Sequence, residues 1–537
     1  MTSSSPTIDS SAETRGGVPA WGWMLLPLVA SALMRDLWAP DEPRYAEVAR
    51  EAYGQGGLLV MHLCDAIYPD KPPLVYWLSG LFGSLFGWHE FWLRVPSLLA
   101  TAGTAWCVAL LARRWWGEAE ARWAPALFLT TAMATEIGAR LQLDPVLTFL
   151  CTAGLLVLDS EARDVTQRRR QVWLAGALVG LAALAKGPVA FVHVGLPWAL
   201  WLRFSKRASS SEATRPSAGK AVGWGAALLA LAIPLTWALS ASLAEPALFE
   251  ELFYGQHVGR VARGTQHGGP FWKHLTRLPL LLLPWTPIVI MGVRLAWTRR
   301  MDAGLVKAGL WFGVLLGFFS AIGPKRDLYL LPAYPALALL GARAWCLVVT
   351  ERARAHRVQL WTAVLLFAVL GAALVAAPHF VEIPAMIEGA AWRGGLTGGV
   401  FLFGALWMFA GRAGNSVWGA RLLWSWCAAA TVLALVIFPA INPIKSGRTL
   451  AAVIAARPEK PSVIPCVGVQ PEAYRFYAGV PTVRGGLQEA RDAGGPFLGL
   501  IRIDNWEAMG AESQARFEIL YRRQVGGREV LLLGVGS

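Results

Sequence analysis

A chain of 537 residues that is 55% hydrophobic and only 16% charged is poor in charge for a soluble protein, which normally carries about a quarter charged residues. Its net charge of +14 does not indicate nucleic acid, because the basic residues stand in short clusters between apolar runs rather than along one face. Six cysteines, Cys64, Cys107, Cys151, Cys346, Cys427 and Cys466, show no CxxC spacing and give no zinc or redox motif. A Cys64–Cys466 bridge would require both residues to lie outside the cytoplasm.

In chain order, residues 1–17 are polar and predicted to be a disordered cytoplasmic tail. Val18–Met34 is uncharged, lies too far from the first residue for a signal peptide and is expected to be the first transmembrane helix. Further apolar runs cover roughly 95–112, 122–138, 142–158, 171–185, 188–202, 221–243, 278–296, 306–322, 328–348, 358–378, 394–411 and 420–440. About thirteen spans result, forming a membrane domain over 18–441 with a large first outer loop at 35–94 and a second at 244–277. With the N-terminus inside, the inner loops hold Arg113-Arg114, Arg168-Arg169-Arg170, Lys206-Arg207, Arg299-Arg300, Arg352 and Arg412, so every one is basic. Residues 442–537 change character: SVIPCVGV, FLGLIRI and EVLLLGV are strand-like, alternate with helix-like stretches and predict a small extracytoplasmic α/β domain. No internal repeat of the transporter type is visible.

The first outer loop holds the densest chemistry. Asp41 and Glu42 follow the first span, and Pro43 opens an amphipathic helix carrying Arg44, Tyr45, Glu47, Arg50 and Glu51. Asp41 can simply cap that helix, but a charged cluster at a membrane boundary more often serves function. Lys71 precedes Pro72-Pro73, which hold the chain extended and suit an ammonium group presented to a phosphate. Snorkelling before an interfacial helix is the plainer alternative. Asp144 stands near the outer end of the fourth span, where it either pairs with Arg140 or shares a polar cavity with Asp41. His257, Arg260 and Arg263 in the second outer loop could form a phosphate clamp or the basic end of an interfacial helix. Lys325, Arg326 and Tyr329 lie in a last outer turn, where positive charge opposes the topology rule and so favours an anionic ligand.

The strings DEPRYAE, DKPPLVYW, LDPVLTF, LAKGP, QHVGR and KRDLYLLPAYP, in that order, resemble the membrane glycosyltransferases of the type C fold. The likeness is strongest to the bacterial aminoarabinose lipid A transferases and the wider protein-mannosyltransferase-like group, and it covers nearly the whole chain. It implies transfer from a polyprenyl (undecaprenyl) phosphate sugar, with inversion, to an envelope lipid, glycan or protein at the periplasmic face of the bacterial inner membrane. It further implies that Asp41 is the catalytic carboxylate, with Asp144 beside it, and that Arg44, Lys71 and Arg260 bind the donor phosphate. Glu42, Tyr45, His257, Lys325 and Tyr329 would line the substrate cavity. Some relatives bind a divalent metal using a Glu before the lysine; here that place holds Asp70, and with His257 it is the candidate ligand set. No other cofactor is implied, and a nucleotide-binding GxGxxG unit is absent. The competing class is a polyprenyl-linked lipid or glycan transporter, which would place its polar residues in mid-bilayer on broken helices.

Overall fold

The computed structural model describes residues 21–54, 57–208, 217–251, 268–323, 325–351, 354–381, 384, 387–411, 415–458 and 461–535. The chain is mainly helical. A 3₁₀ turn, Trp21–Leu25, leads into the helix Leu26–Met34. Then come Asp41–Tyr53, a two-residue hairpin pairing His62–Leu63 with Ala66–Ile67, and the apolar helix Leu74–Phe86. The bundle continues with Glu90–Trp115, Glu118–Leu129, Ala132–Ile137, Leu143–Asp159, Val165–Lys186, Val189–Ala208 and Lys220–Ala244. It closes with Lys273–Leu281, Thr286–Thr298, Ala303–Ala321, Tyr334–Glu351, Arg354–Phe380, Ala390–Ala410 and Asn415–Lys445. Among the described residues, six helices are long and apolar enough to cross a membrane by length and composition.

Most predicted spans appear as helices, extended by about a turn into their charged flanks. Caps explain where they begin: Asp164 accepts from the Gln167 amide at 2.7 Å and Asp302 from the Leu305 amide at 3.0 Å. Two predicted spans are broken. The run at 122–138 divides at Thr130-Thr131, where the Thr131 hydroxyl caps a new helix by accepting from Ala134 at 3.2 Å. The run at 278–296 divides before Pro284 and Pro287, which supply no backbone N–H to continue it. Close helix contact elsewhere depends on glycine: a Cβ on Gly398 would stand 2.5 Å from the Gly371 carbonyl oxygen, so Arg354–Phe380 and Ala390–Ala410 pack backbone to backbone.

The C-terminal segment is an α/β unit. Its five-stranded sheet runs Thr482–Arg484, Ile464–Val467, Gly499–Arg502, Arg528–Val535, Phe517–Val525, the first three parallel and the last two antiparallel. It sits on one end of the bundle, the head, and is fastened there by polar contacts rather than by apolar burial alone. Arg448 pairs with Asp36 at 2.8 Å and with Glu90 at 3.2 Å, and the Tyr477 hydroxyl donates to Glu90 while accepting from the Leu37 amide. Asn442, near the end of the last long helix, bonds the Asp36 amide, the Trp38 indole and the Met34 carbonyl. The loop that leads to Asp41 is thereby fixed on both sides.

Candidate active site

The helix Asp41–Tyr53 turns three faces to three surroundings. Asp41 and Tyr45, four residues apart, share one face. Glu42, Ala46 and Ala49 face the bundle core, and Arg44, Glu47 and Glu51 face the sheet domain. The two acids in its first turn also complement the partial positive charge of the helix N-terminus.

Asp41 is nearly buried, and its Oδ2 accepts from Arg326 Nη2 at 2.5 Å and from Gln142 Nε2 at 3.4 Å. Asp144 opens the helix Leu143–Asp159 only two residues from Gln142, is 1% exposed and is ion-paired to Lys186. Lys186 ends its own helix, where a cation is favoured, and its Nζ lies 4.6 Å above the Tyr329 ring. Asp41, Asp144 and Arg326 interact electrostatically with one another. Two carboxylate–cation pairs therefore stand side by side at the head, supplied by four separate segments. Burial pushes the Tyr45 phenol well above its usual range, and Asp41 adds to this, so Tyr45 keeps its proton here.

Glu42 has a different setting. Its carboxylate accepts from Arg94 at 2.9 Å, Arg35 at 3.1 Å, the Leu141 amide at 3.0 Å and the Trp38 amide at 3.2 Å. Burial alone would raise its pKa, but Arg94 and Arg35 outweigh that and hold it at about 2. It is turned into the core and tethers Asp41's helix. Lys325 is likewise committed elsewhere: its ammonium donates to the carbonyls of Phe319, Ser320 and Ile322 at the end of Ala303–Ala321. With Arg326, Lys273, Arg277 and Glu136 it also lines a cavity of about 390 Å³.

Arg44 reaches Glu472 of the sheet domain at 3.4 Å and also interacts with Tyr68, Tyr45 and Asp41. Tyr68 in turn interacts with Asp70, which brings the segment holding Asp70 and Lys71 to the same region; both residues are half-buried. His257, Arg260 and Arg263 lie outside the described residues. Among the described residues, no three His, Cys, Asp or Glu side chains stand together as a metal would require. Of the candidate-site residues Lys186, Arg326 and Gln142, sequence reasoning singled out only Arg326, and for an anionic ligand rather than for Asp41. LAKGP and the Lys325-Arg326 pair mark two of them, but nothing in the sequence ties Gln142 to Asp41.

The family described as Dolichyl-phosphate-mannose-protein mannosyltransferase matches residues 70–239. The chain is 31% identical over 373 residues to the undecaprenyl phosphate-alpha-4-amino-4-deoxy-L-arabinose arabinosyl transferase of Shewanella sediminis, covering 68% of this chain and 65% of that one. Against the transferase of the same name from an Enterobacter species it is 32% identical, covering 61% of this chain and 58% of the relative. The aligned part thus spans somewhat under two thirds of these relatives' length. In structure, the chain superposes on ArnT from Cupriavidus metallidurans in the apo state with a TM-score of 0.79 at 23% identity, covering 97% of this chain and 98% of that one. The same protein bound to undecaprenyl phosphate gives a TM-score of 0.78 at 22% identity, covering 96% and 99%. These likenesses establish the fold: the type C membrane arrangement expected from the sequence motifs, with its small C-terminal sheet domain.

Proposed function

We propose that this chain, a multi-pass membrane protein with the type C glycosyltransferase fold and a resemblance to the aminoarabinose transferases, moves a sugar from a polyprenyl phosphate to an envelope acceptor. The acceptor is a lipid A-like lipid, a glycan or a protein, and the reaction takes place at the head, on the periplasmic side of the inner membrane. The observation that carries this reading is the paired arrangement of Asp41 with Arg326 and Asp144 with Lys186. The donor class is supported by the relatives' names and by the related structure that holds undecaprenyl phosphate. The periplasmic placement is supported by the basic loops at the opposite end of the bundle.

In the transfer, an acceptor oxygen attacks the anomeric carbon as the bond from that carbon to the phosphate oxygen breaks. The bonding pair leaves with the polyprenyl phosphate, and the configuration inverts. Arg44, Lys71 and Arg260 hold the phosphate and stabilise its growing charge in a partly dry cavity. Asp41 faces the acceptor. With a hydroxyl acceptor it takes the proton as general base, a contribution of ~10²–10⁴-fold. With a phosphate acceptor no base is needed, and Asp41 orients the nucleophile. Asp144, fixed by Lys186, accepts hydrogen bonds from the sugar, and Tyr329 and Tyr45 bound the cavity.

The test is sugar release from a radiolabelled polyprenyl-phosphate sugar by purified protein, wild type against Asp41→Asn and Lys71→Ala. Transfer by the wild type that is lost in both folded variants supports the reading. No turnover across a panel of donors and acceptors would refute it and favour transport.

A further inference from the structure

The hairpin at residues 62–67 is an unusual place for a cysteine. Its two-residue turn, Cys64-Asp65, has φ of 53° and 62°, a conformation normally left to Asn and Gly. Cys64 is nevertheless held there tightly. Its amide and that of Asp65 donate to the Glu51 carboxylate at 2.9 and 3.3 Å, and Asp65 takes both Arg475 nitrogens at 2.6 and 2.7 Å. The turn is thus pressed between the helix Asp41–Tyr53 and the sheet domain.

The Cys64 thiol points at that domain and lies 3.8 Å from the Thr482 hydroxyl. Thr482 pairs with Ile464 in the sheet, and Cys466 follows two residues later on the same strand, so it shares the face of Ile464 and Thr482. Cys466 is 2% exposed and packs with Ile464 and Tyr474 on the side towards the helix Glu472–Ala478. The two sulfurs interact electrostatically, and Glu472 lies close to both. Cys107, Cys151, Cys346 and Cys427 all lie on membrane helices away from this contact.

We propose that Cys64 and Cys466 are a disulfide-forming pair that, once oxidised, staples the first outer loop to the sheet domain. This rests on the periplasmic placement of the head, where protein disulfide oxidants operate. One thiol attacks the oxidant's disulfide to give a mixed disulfide, and the second displaces it. The two cysteines lose two protons and two electrons, and the oxidant is released as a dithiol. Burial pushes the Cys64 thiol up to about 12 and that of Cys466 up as well, so few thiolates form once the domain has docked. Oxidation therefore belongs to the folding stage, before the domain closes over the turn. Thereafter the same burial protects the bond from reduction.

The full chain, expressed in a bacterial membrane, is denatured in the presence of a maleimide without reductant, digested and mapped by mass spectrometry. The expected result is a Cys64–Cys466 linked peptide, lighter by two hydrogens than its parts, with the other four cysteines alkylated. Cys64→Ser leaves Cys466 alkylated, and Cys466→Ser leaves Cys64 alkylated. Alkylation of all six in the wild type, with no linked peptide, overturns the pairing, and this result needs no variant to fold. A separate probe tests the sidedness: Ala515→Cys, exposed on the sheet domain, in a Cys64→Ser/Cys466→Ser background, treated with a membrane-impermeant maleimide in spheroplasts. Labelling without a linked wild-type peptide overturns the staple and leaves the placement standing; no labelling of folded protein overturns both.

Discussion

Glu42→Gln separates the two neighbouring carboxylates that open the helix Asp41–Tyr53. Glu42 is fully buried, and all its hydrogen bonds are charge-assisted or come from backbone amides: Arg94 at 2.9 Å, Arg35 at 3.1 Å, and the amides of Leu141 and Trp38. The fall in its pKa from 4.5 to about 2 corresponds to about 3 kcal/mol of net preference for the charged form in the fold. Because the folded pKa lies below the unfolded one, that stabilisation is complete above pH 4.5 and is lost as the pH falls through 2. Glutamine removes the charge at every pH and turns an NH₂ donor towards groups that can only donate. Two buried guanidinium groups would then lack their counter-charge, a loss of roughly 3–5 kcal/mol by analogy with other broken buried pairs. Arg94 keeps its bonds to the Ala32, Arg35 and Asp36 carbonyls, so the lower part of that range is expected. Thermal unfolding of the full chain in detergent, followed alongside sugar transfer, should show Glu42→Gln clearly destabilised and Asp41→Asn, whose partner Arg326 is partly exposed, less so. A Glu42→Gln protein that unfolds with wild type and transfers at the wild-type rate would refute this account of the helix.

Three other perturbations follow from the same contacts. Lys186→Met leaves Asp144 buried without its cation and should cost roughly 3–5 kcal/mol, whereas Lys186→Met with Asp144→Leu should regain most of the stability and none of the transfer activity; unfolding and turnover measured on the same samples check both. Burial raises the pKa of Glu47 to about 7 against the pull of Arg50, so the fold favours its protonated form: stability should decline as pH rises from 4.5 through 7 and level off above, and Glu47→Gln should flatten that slope in melting scans. Arg475→Met removes the ion pairs to Glu47, Glu51 and Asp65 and should make the 62–67 hairpin more sensitive to limited proteolysis, with donor binding unchanged.

The sequence discloses the bundle well because each span is a long uncharged run bounded by charges, and the bilayer tolerates few alternatives. Its errors are local. Thr130-Thr131 and Pro284 interrupt helices inside apolar stretches, where hydropathy carries no signal of a break. The candidate-site cluster was legible by residue type, and Asp41, Tyr45, Asp144 and Tyr329 do come together. Their partners were not, since Arg326 reaches Asp41 across 285 positions and Lys186 reaches Asp144 across 42.

What a linear reading cannot resolve is the direction of adjacent charges. Asp41 and Glu42 differ by one helical step of about 100°. That step sends one carboxylate to the site and the other into the core, where Arg35 and Arg94 wait. Lys325 and Arg326 divide in the same way: the lysine satisfies the open carbonyls at a helix end, and the arginine crosses to Asp41. Both pairs look redundant in sequence, yet each couples a residue that faces the site to one that fixes the local backbone. This also accounts for two positive charges in a turn that the proposed topology puts on the outer side, where positive charge is disfavoured. Lys325 is hydrogen-bonded by helix-terminal carbonyls and Arg326 is paired with a carboxylate, so both cations have local partners. In this head, then, the residue beside each site residue is the first place to look for what holds it.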